Sequence, residues 1–345
     1  MVKLKDIAQR GGVSIMTVSK SLRDAKDISV ATRMRIRKLA EEMGYVPDLS
    51  AQLMRSGKSK LFGLIISAAT NPIYARIVMA LEERAHELGY DLLFAHSLNQ
   101  TSREEACIRR FLLRRVDGLF ITPVYRLAPT APAYEEIKRL KVPTVILGHR
   151  GLCCSEFANV ETDDIAASYA MTKHLLDLGH KRIAYFTGPP VSPSAQERYE
   201  GYRRALREAN IEMDDRLVFN AGSTIEEGEK AALQMLNENP EATAVQAVND
   251  LVAIGVADVL LNQGVRIPEQ ISVAGFGNIL VAEYFRVPLT TVRQPKLRLG
   301  YAAMELMEAL HRGEVPESKR LRAEVIVRAS TAPPLKVNES VAAHP

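Results

Sequence analysis

Two side chains near the N-terminus, Met16 and Lys20, are spaced so that one face of a helix would present them together. At about 100° per residue, the apolar Val18 and Leu22 fall on the opposite face of the same helix. A helix of this kind can pack on a small core through its apolar face and place its other face in a DNA major groove. Ile15 lies only about 40° from the apolar face, so it could either pack in the core or contact bases.

Basic residues are concentrated at the start of the chain. Residues 1–60 contain 13 Lys and Arg against 6 Asp and Glu, a net charge of +7, whereas residues 61–345 contain 32 against 35, a net charge of −3. A basic segment supplies salt-dependent attraction to phosphates, although a solvated basic surface would have the same composition. Nucleic acid is therefore a candidate partner of the first segment.

The residue patterns of common catalytic and metal sites are missing from the sequence. Cys107, Cys153 and Cys154 form no CxxC pair and have no neighbouring histidine at metal-ligand spacing. The run GFGNIL approaches a GxGxxG fingerprint but ends in Leu280, and there is no HExxH, GxSxG or P-loop motif. We therefore expect reduced buried thiols, no metal, no cofactor and no catalytic residues.

Length and composition indicate a folded protein of two or three domains. The chain has 345 residues, of which 47% are hydrophobic and 25% charged, and these are ordinary globular proportions. No apolar run reaches the roughly 18 residues of a membrane span, and the N-terminus is polar where a secretory signal would be apolar. We expect a cytoplasmic protein that does not enter a membrane.

The basic segment carries start and stop signals for three helices. An apolar stripe over residues 4–8 ends at Gly12, where a positive φ is easily adopted. Ser14 can cap a second helix, and Ser29 can cap a third that ends at Gly44. Two short helices joined by a glycine turn predict a helix-turn-helix in an all-α head.

The runs LKDIAQRGGVSIMTVSKSL (4–22) and TRMRIRKLAEEMGYVPD (32–48) resemble the DNA-binding head of the LacI/GalR family of bacterial transcriptional regulators. This resemblance implies that three residues read bases, with Lys20 donating to a guanine and two apolar side chains contacting thymine methyl groups. It also implies that Thr17 and Ser19 hold backbone phosphates. The DNA contacts expected in the head are Ser14, Ile15, Met16, Thr17, Ser19 and Lys20.

The segment after Pro47 has a helical pattern that is too short to be stable alone. By resemblance it corresponds to the family's hinge, which folds on DNA and inserts an apolar side chain into the minor groove. This correspondence assigns Ala51 and Met54 to DNA contact, with Met54 in place of the usual leucine.

From residue 61 onward, apolar strands alternate with amphipathic helices in two successive halves, which predicts parallel sheets with a ligand cleft at the carboxyl ends of their strands. Runs such as RYEGYRRAL and PLTTVRQP extend the family resemblance to this body. The resemblance implies a periplasmic-binding-protein-like (type I) α/β core of two doubly wound parallel-sheet subdomains. The predicted domains are a head (1–46), a hinge helix (47–59), an N-terminal core subdomain (60–159 plus 290–322), a C-terminal core subdomain (160–289 plus 323–336) and a tail (337–345).

The resemblance also implies an effector site in the cleft. Arg198 matches a family arginine that holds hydroxyl or carboxylate groups, Asn249 matches a second polar contact, and Tyr74 is expected to line the cleft. Each polar side chain could instead satisfy backbone groups. After ISVAGF the family usually has an Asp acceptor, whereas Gly277 and Asn278 follow here. We therefore expect an acidic or acceptor-rich effector, with Asn278 as a possible replacement acceptor.

Two histidines receive separate predictions: His149 lines the cleft, and His180 fixes a turn. The predicted function is a transcriptional regulator, most simply a repressor, that binds double-stranded palindromic operator DNA as a homodimer under control of a small-molecule effector. The effector would be carbohydrate-derived, a sugar acid or another metabolite. The alternatives are a periplasmic-type solute-binding protein, which would need a signal peptide and has no use for the head, and a sugar-metabolising enzyme.

Overall fold

The computed structural model describes residues 2–46 and 58–335, and the chain divides into two compact units, residues 1–59 and residues 60–345. The predicted hinge contacts Ala51 and Met54 and the predicted tail lie outside the described residues. Within the described ranges, no helix is long and apolar enough to cross a membrane.

The first unit contains the three predicted helices. The first helix ends at Gly11 and is followed by Gly12, whose φ is 62°. Ser14 and Ser29 cap the next two helices by accepting backbone N–H groups in their first turns. Val18 packs inward in a small core with Ile7, Ala8, Ile36 and Ala40. The helices are α1 (Leu4–Gly11), α2 (Ile15–Leu22) and α3 (Val30–Glu42).

The second unit alternates strands and helices along most of its length. Its first half contains β1 (Leu61–Ile66), α4 (Ala75–Glu87), β2 (Asp91–His96), α5 (Thr101–Leu113), β3 (Gly118–Ile121), α6 (Pro132–Leu140), β4 (Thr144–Leu147) and β5 (Ala158–Thr162). Its second half contains α7 (Asp164–Asp177), β6 (Ile183–Thr187), α8 (Pro193–Glu208), β7 (Val218–Asn220), α9 (Ile225–Glu238), β8 (Ala244–Ala247), α10 (Asp250–Asn262), β9 (Ser272–Gly277), α11 (Leu280–Tyr284) and β10 (Thr290–Arg293). The chain then forms α12 (Lys296–His311), β11 (Lys319–Leu321) and β12 (Glu324–Ile326).

The strands form two six-stranded sheets. The first sheet has the order β11-β5-β4-β3-β1-β2, with every neighbouring pair parallel. The second has the order β12-β10-β9-β8-β6-β7 and is parallel except for the edge strand β12, which runs antiparallel to β10. Helices cover these sheets because a parallel crossover places a helix on a sheet face.

Sheet membership corrects two of the predicted crossings between halves. β5 extends to Thr162 in the first sheet, so the predicted division between residues 159 and 160 cuts through this strand. β10 pairs with β9 in the second sheet, although residues 290–322 were predicted to belong to the first subdomain. Register between strands is a tertiary property, and an apolar strand pattern fits either sheet equally well.

Helix α12 is not predicted from the sequence, because it is buried on several sides. It packs against α4 and also against β4 and β5, so its buried residues do not form a single stripe. A helix buried on several sides lacks the one-sided apolar periodicity by which amphipathic helices are predicted.

His180 joins two distant segments of the second unit, which extends the prediction that it fixes a turn. Its Nε2 donates to the carbonyl oxygen of Ala332 at 2.8 Å, and its Nδ1 lies 2.9 Å from the hydroxyl of Thr243. The side chain is buried, and burial lowers the pKa of the imidazole. The neutral ring therefore anchors the C-terminal segment that follows β12.

We expect acid to weaken this anchor. Because the pKa of His180 is lowered in the fold, its contribution is complete above the ordinary pKa of about 6.5 and is lost as the pH falls below that value. Each unit of separation between folded and unfolded pKa corresponds to about 1.4 kcal/mol. In denaturant titrations at pH 7.5 and 5.5, His180→Gln should lose less stability on acidification than the wild type. An equal loss in both proteins would contradict this role.

Candidate functional site

The first candidate surface is the solvent-facing side of α2. Ser14 Oγ accepts the backbone N–H of Thr17 at 3.0 Å, which fixes the start of the helix. Ile15 and Met16 come directly after this cap and are 50% and 64% exposed. Ile15 lies outside the apolar core of the head, so the core-packing alternative for this residue is wrong. Two large exposed apolar side chains at the start of a capped helix are suited to contact with base edges.

Lys20 lies one turn further along α2 and forms an ion pair with Asp27 in the loop before α3. The hydrogen bond from the ammonium lowers the pKa of the Asp27 carboxyl. The predicted base-reading amine is therefore already held by a carboxylate in the free head.

Ser19 is less accessible than its predicted phosphate contact requires. The side chain is buried, and its Oγ accepts from Arg23 Nη2 at 3.2 Å, while Arg23 Nε donates to the Ser19 carbonyl at 3.0 Å. The guanidinium of Arg23, an exposed residue, thus occupies the Ser19 hydroxyl, and the phosphate contact of Ser19 remains a prediction. This contact could have been predicted from the sequence, because Ser19 and Arg23 are four residues apart at the end of a helix and therefore lie on the same face.

The second candidate site is a cavity of about 550 Å³ between the two halves of the second unit. Its lining residues follow the carboxyl ends of β1, β3, β4 and β5 from the first sheet and of β6, β8 and β9 from the second. Open parallel sheets bind ligands at this edge, and the volume suits a small molecule. Its polar and aromatic lining residues include Tyr74, His149, Glu161, Asp164, Arg198, Asn249, Asp250 and Phe276.

Arg198 lines the cavity as predicted, but its guanidinium is already bound within the protein. Nη1 donates to the Val248 carbonyl at 2.7 Å, Nη2 lies 3.3 Å from Asp164 Oδ2, and the guanidinium carbon lies 3.8 Å above the ring of Phe276. The Nε atom is buried and, among the described residues, has no hydrogen-bond partner. The Nε donor is therefore not satisfied by any described group of the protein.

The pairing of Arg198 with Asp164 depends on close contact between α7 and α8. A Cβ at Gly201 would lie 2.4 Å from the carbonyl oxygen of Ile165, so α8 can approach α7 only with glycine here. Asp164 is buried, and burial raises the pKa of its carboxyl against the opposing effect of the nearby guanidinium. A buried carboxylate of this kind needs its cationic partner.

A second set of charges joins the two halves beside Arg198. Glu197 on α8 lies 3.0 Å from His149 Nε2 and accepts from Arg320 Nη1 at 3.1 Å, and both partners belong to the first half. Arg320 Nη1 also donates to Glu161 at 3.0 Å. Burial acts to lower the pKa of His149. The three nearby carboxylates of Glu197, Asp164 and Glu161 outweigh burial, so the pKa of the imidazole is raised overall. Neighbouring residues of α8 thus contact the cavity and the opposite half.

His149, Glu161 and Glu197 could in principle hold a divalent cation. Each offers one ligand atom, and these atoms lie within 4.8 Å of one another. However, Arg320 binds both carboxylates, and Asn159 Nδ2 donates to Glu161 at 2.8 Å. A cation would have to displace a guanidinium, so the arrangement is better described as an internal ion network.

Tyr74 and Asn249 also lie in the cavity lining. The hydroxyl of Tyr74 accepts from Ser67 Oγ at 3.0 Å, and burial raises its pKa. Asn249 caps α10: its Oδ1 accepts the Val252 N–H at 2.8 Å, and its Nδ2 donates to the Ser223 carbonyl at 3.1 Å. Its carboxamide therefore serves the backbone, and the effector contacts of Tyr74 and Asn249 remain predictions.

Asn278 lies outside the cavity lining, which corrects its assignment as an effector contact. Its Oδ1 accepts from Arg328 Nη2 at 2.8 Å, and its carbonyl accepts from Lys296 Nζ at 2.9 Å. Lys296 is buried, and burial lowers its pKa to about 8. The two basic partners come from segments after β9, and no local pattern around Asn278 could reveal them.

The charge of the lining argues against the expected acidic effector. Among the described residues of the cavity wall there are three carboxylates (Glu161, Asp164 and Asp250), one guanidinium and one imidazole, and Glu161 is also paired with Arg320 from outside the wall. Since Arg198 is paired with Asp164, it cannot balance an additional anion as a free cation would. A neutral ligand that both donates and accepts hydrogen bonds fits this wall better.

Comparison with known families finds one match in each of the two structural units. Residues 3–48 match the profile described as "Bacterial regulatory proteins, lacI family", and residues 172–331 match a "Periplasmic binding protein-like domain". The HTH-type transcriptional repressor CytR of Escherichia coli (strain K12) is 30% identical over 332 residues, which cover 95% of this chain and 96% of CytR.

Solved structures that resemble nearly the whole chain include a repressor bound to operator and a regulator bound to a sugar. The lac repressor dimer bound to operator and the anti-inducer ONPF superposes with a TM-score of 0.85 at 26% identity, covering 96% of this chain and 99% of the repressor. The transcriptional regulator CelR in complex with cellobiose has a TM-score of 0.72 at 29% identity and covers 96% of this chain and 100% of CelR.

Proposed function

Because this chain belongs to the LacI family of bacterial regulatory proteins, we propose that it is a transcriptional repressor that binds a palindromic operator and responds to a small-molecule effector. The observation that carries the proposal is the exposed face of α2. Ile15 and Met16 project from the first turn of a Ser14-capped helix, and Lys20 lies one turn later. This set provides apolar contacts to thymine and a donor to guanine on one recognition helix.

We also propose that the protein acts as a homodimer. The short helix α11 exposes Leu280, Val281 and Tyr284 to 69%, 49% and 75%. Large apolar side chains grouped in this way are typical of a surface that another protein covers. The related lac repressor binds its operator as a dimer, and a two-fold dimer reads a palindrome because its two heads are equivalent.

The effector we propose is neutral and rich in hydroxyl groups, either carbohydrate-derived or another metabolite of that character. The excess of carboxylates in the cavity supports this choice, as does the cellobiose bound by the related CelR. Glu197, the neighbour of Arg198 on α8, contacts His149 and Arg320 of the other half, and we propose that a ligand bound at Arg198 shifts these contacts. Differential binding to two arrangements of the halves would then change DNA affinity.

Selection of bound sequences from random double-stranded DNA tests the DNA-binding function. We expect enrichment of a two-fold symmetric sequence whose half-sites each contain a guanine. Binding should also weaken steeply as salt is raised, because the +7 segment displaces counterions. Failure to enrich any sequence at low salt would contradict the proposal.

The effector class is tested by thermal shift with neutral sugars, sugar acids and sugar phosphates. A ligand at about 100 times its Kd stabilises the native state by about 2.7 kcal/mol, so even moderate binders are detectable. We expect neutral compounds to raise the melting temperature and anionic analogues to have little effect. A shift produced by acids or phosphates alone would contradict the charge argument.

A further inference from the structure

We propose that Asp27 is a specificity-determining residue of the DNA-binding head, where it positions Lys20 for guanine. The inference rests on the proposed DNA-binding function and concerns a residue outside the recognition helix. Asp27 lies in the loop between α2 and α3 and forms the ion pair with Lys20 described above.

The backbone of this loop holds Asp27 in place. The N–H groups of Arg23 and Ala25 both donate to the Lys20 carbonyl, at 3.2 and 3.1 Å, and the N–H of Ile28 donates to the Ala25 carbonyl at 3.2 Å. The loop therefore folds back over the end of α2. Because the turn is fixed, the carboxylate restrains a lysine whose long side chain would otherwise sample many rotamers.

The donor count of Lys20 suits guanine recognition. An ammonium has three N–H donors, and one donor to Asp27 leaves two for the O6 and N7 atoms of a guanine. A phosphate gains less from the same amine, because the Asp27 carboxylate repels the phosphate charge. Asp27 should therefore favour the guanine contact over non-specific contact with the DNA backbone.

Asp24 provides a matched control in the same loop. It pairs with Arg33 and Arg37 of α3, not with the recognition helix. Asp24→Asn and Asp27→Asn both remove one negative charge from the loop. Only Asp27→Asn removes the ion pair of Lys20, so a difference between the variants reports on positioning and not on net charge.

The experiment compares these variants on the duplex selected by the wild-type protein, on its single base-pair variants and on a shuffled duplex. We expect Asp27→Asn to bind the shuffled duplex about two- to fivefold more tightly and to lose discrimination by a similar factor at one guanine of each half-site. Asp24→Asn should raise the affinity for all duplexes by one common factor. Asp27→Glu should retain the wild-type discrimination.

A Lys20→Ala background separates positioning from a structural effect. In that background, Asp27→Asn should leave the discrimination between base pairs unchanged, because the Lys20 ammonium that Asp27 would position is absent. The inference is wrong if Asp27→Asn behaves like Asp24→Asn, or if its effect on discrimination persists without Lys20. If the wild-type protein selects no duplex at all, the proposed DNA-binding function fails instead.

Discussion

Replacing Arg198 by alanine is expected to lower the free energy of unfolding by about 3–5 kcal/mol, because it leaves the buried carboxylate of Asp164 without its cationic partner. The variant also loses the hydrogen bond to Val248 and the contact with the face of Phe276. Denaturant titration of the whole chain at pH 8 would measure the loss. Where the variant remains folded, DNA binding should persist and the melting-temperature shift by the effector should disappear.

Measurements at a second pH and on a double variant identify the cause of this loss of stability. Without Arg198, the raised pKa of the Asp164 carboxyl should rise further. The loss in free energy of unfolding should therefore be smaller at pH 5, because the carboxyl takes up a proton more readily in the folded variant than in the unfolded chain. A double variant, Arg198→Met with Asp164→Asn, carries no buried charge at this pair and should recover much of the stability. An equal loss in the single and double variants would assign the effect to packing around Phe276.

Replacing Lys20 by alanine is expected to remove about 1–3 kcal/mol of sequence discrimination at one base pair of each half-site. In a symmetric dimer the two half-sites add, so the affinity for the selected duplex should fall by roughly 30-fold to 10⁴-fold relative to shuffled DNA. Titrations of both duplexes at the same salt concentration would measure this ratio.

Lys26 supplies the control for net charge. It is an exposed lysine in the loop after α2, and Lys26→Ala removes the same charge from the head. We expect a small loss of similar size on both duplexes, as for a residue that contributes only electrostatic attraction. If Lys20→Ala showed the same uniform loss, Lys20 would be a phosphate contact and its assignment to guanine would be wrong.

The helices of the head and most strands of the body could be predicted from the sequence because their signals are local. A hydroxyl at Ser14 or Ser29, a glycine at position 12 and an apolar residue every three or four positions act within one or two turns. The predicted exposure of Met16 and burial of Val18 also follow from helical periodicity and are confirmed by the structure.

Sheet membership and the burial of α12 required the tertiary structure. The pattern of β10 is compatible with either half, and only its pairing with β9 places it in the second sheet. Helix α12 contacts neighbours on several sides, which removes the one-sided pattern of an amphipathic helix.

The family, the DNA-binding helix and the presence of a cleft could be predicted from local sequence patterns, whereas the charges that remain unpaired depend on contacts between distant residues in the folded protein. Arg198 contacts Asp164, 34 residues away in the sequence, and Val248, 50 residues away. Asn278 accepts from Arg328, which is also 50 residues away. Local periodicity reports which way a side chain faces but not which distant group meets it. A guanidinium that is already paired with a carboxylate inside the protein cannot balance the charge of an additional anion, and this is why we propose a neutral effector in place of the acidic one expected from the sequence.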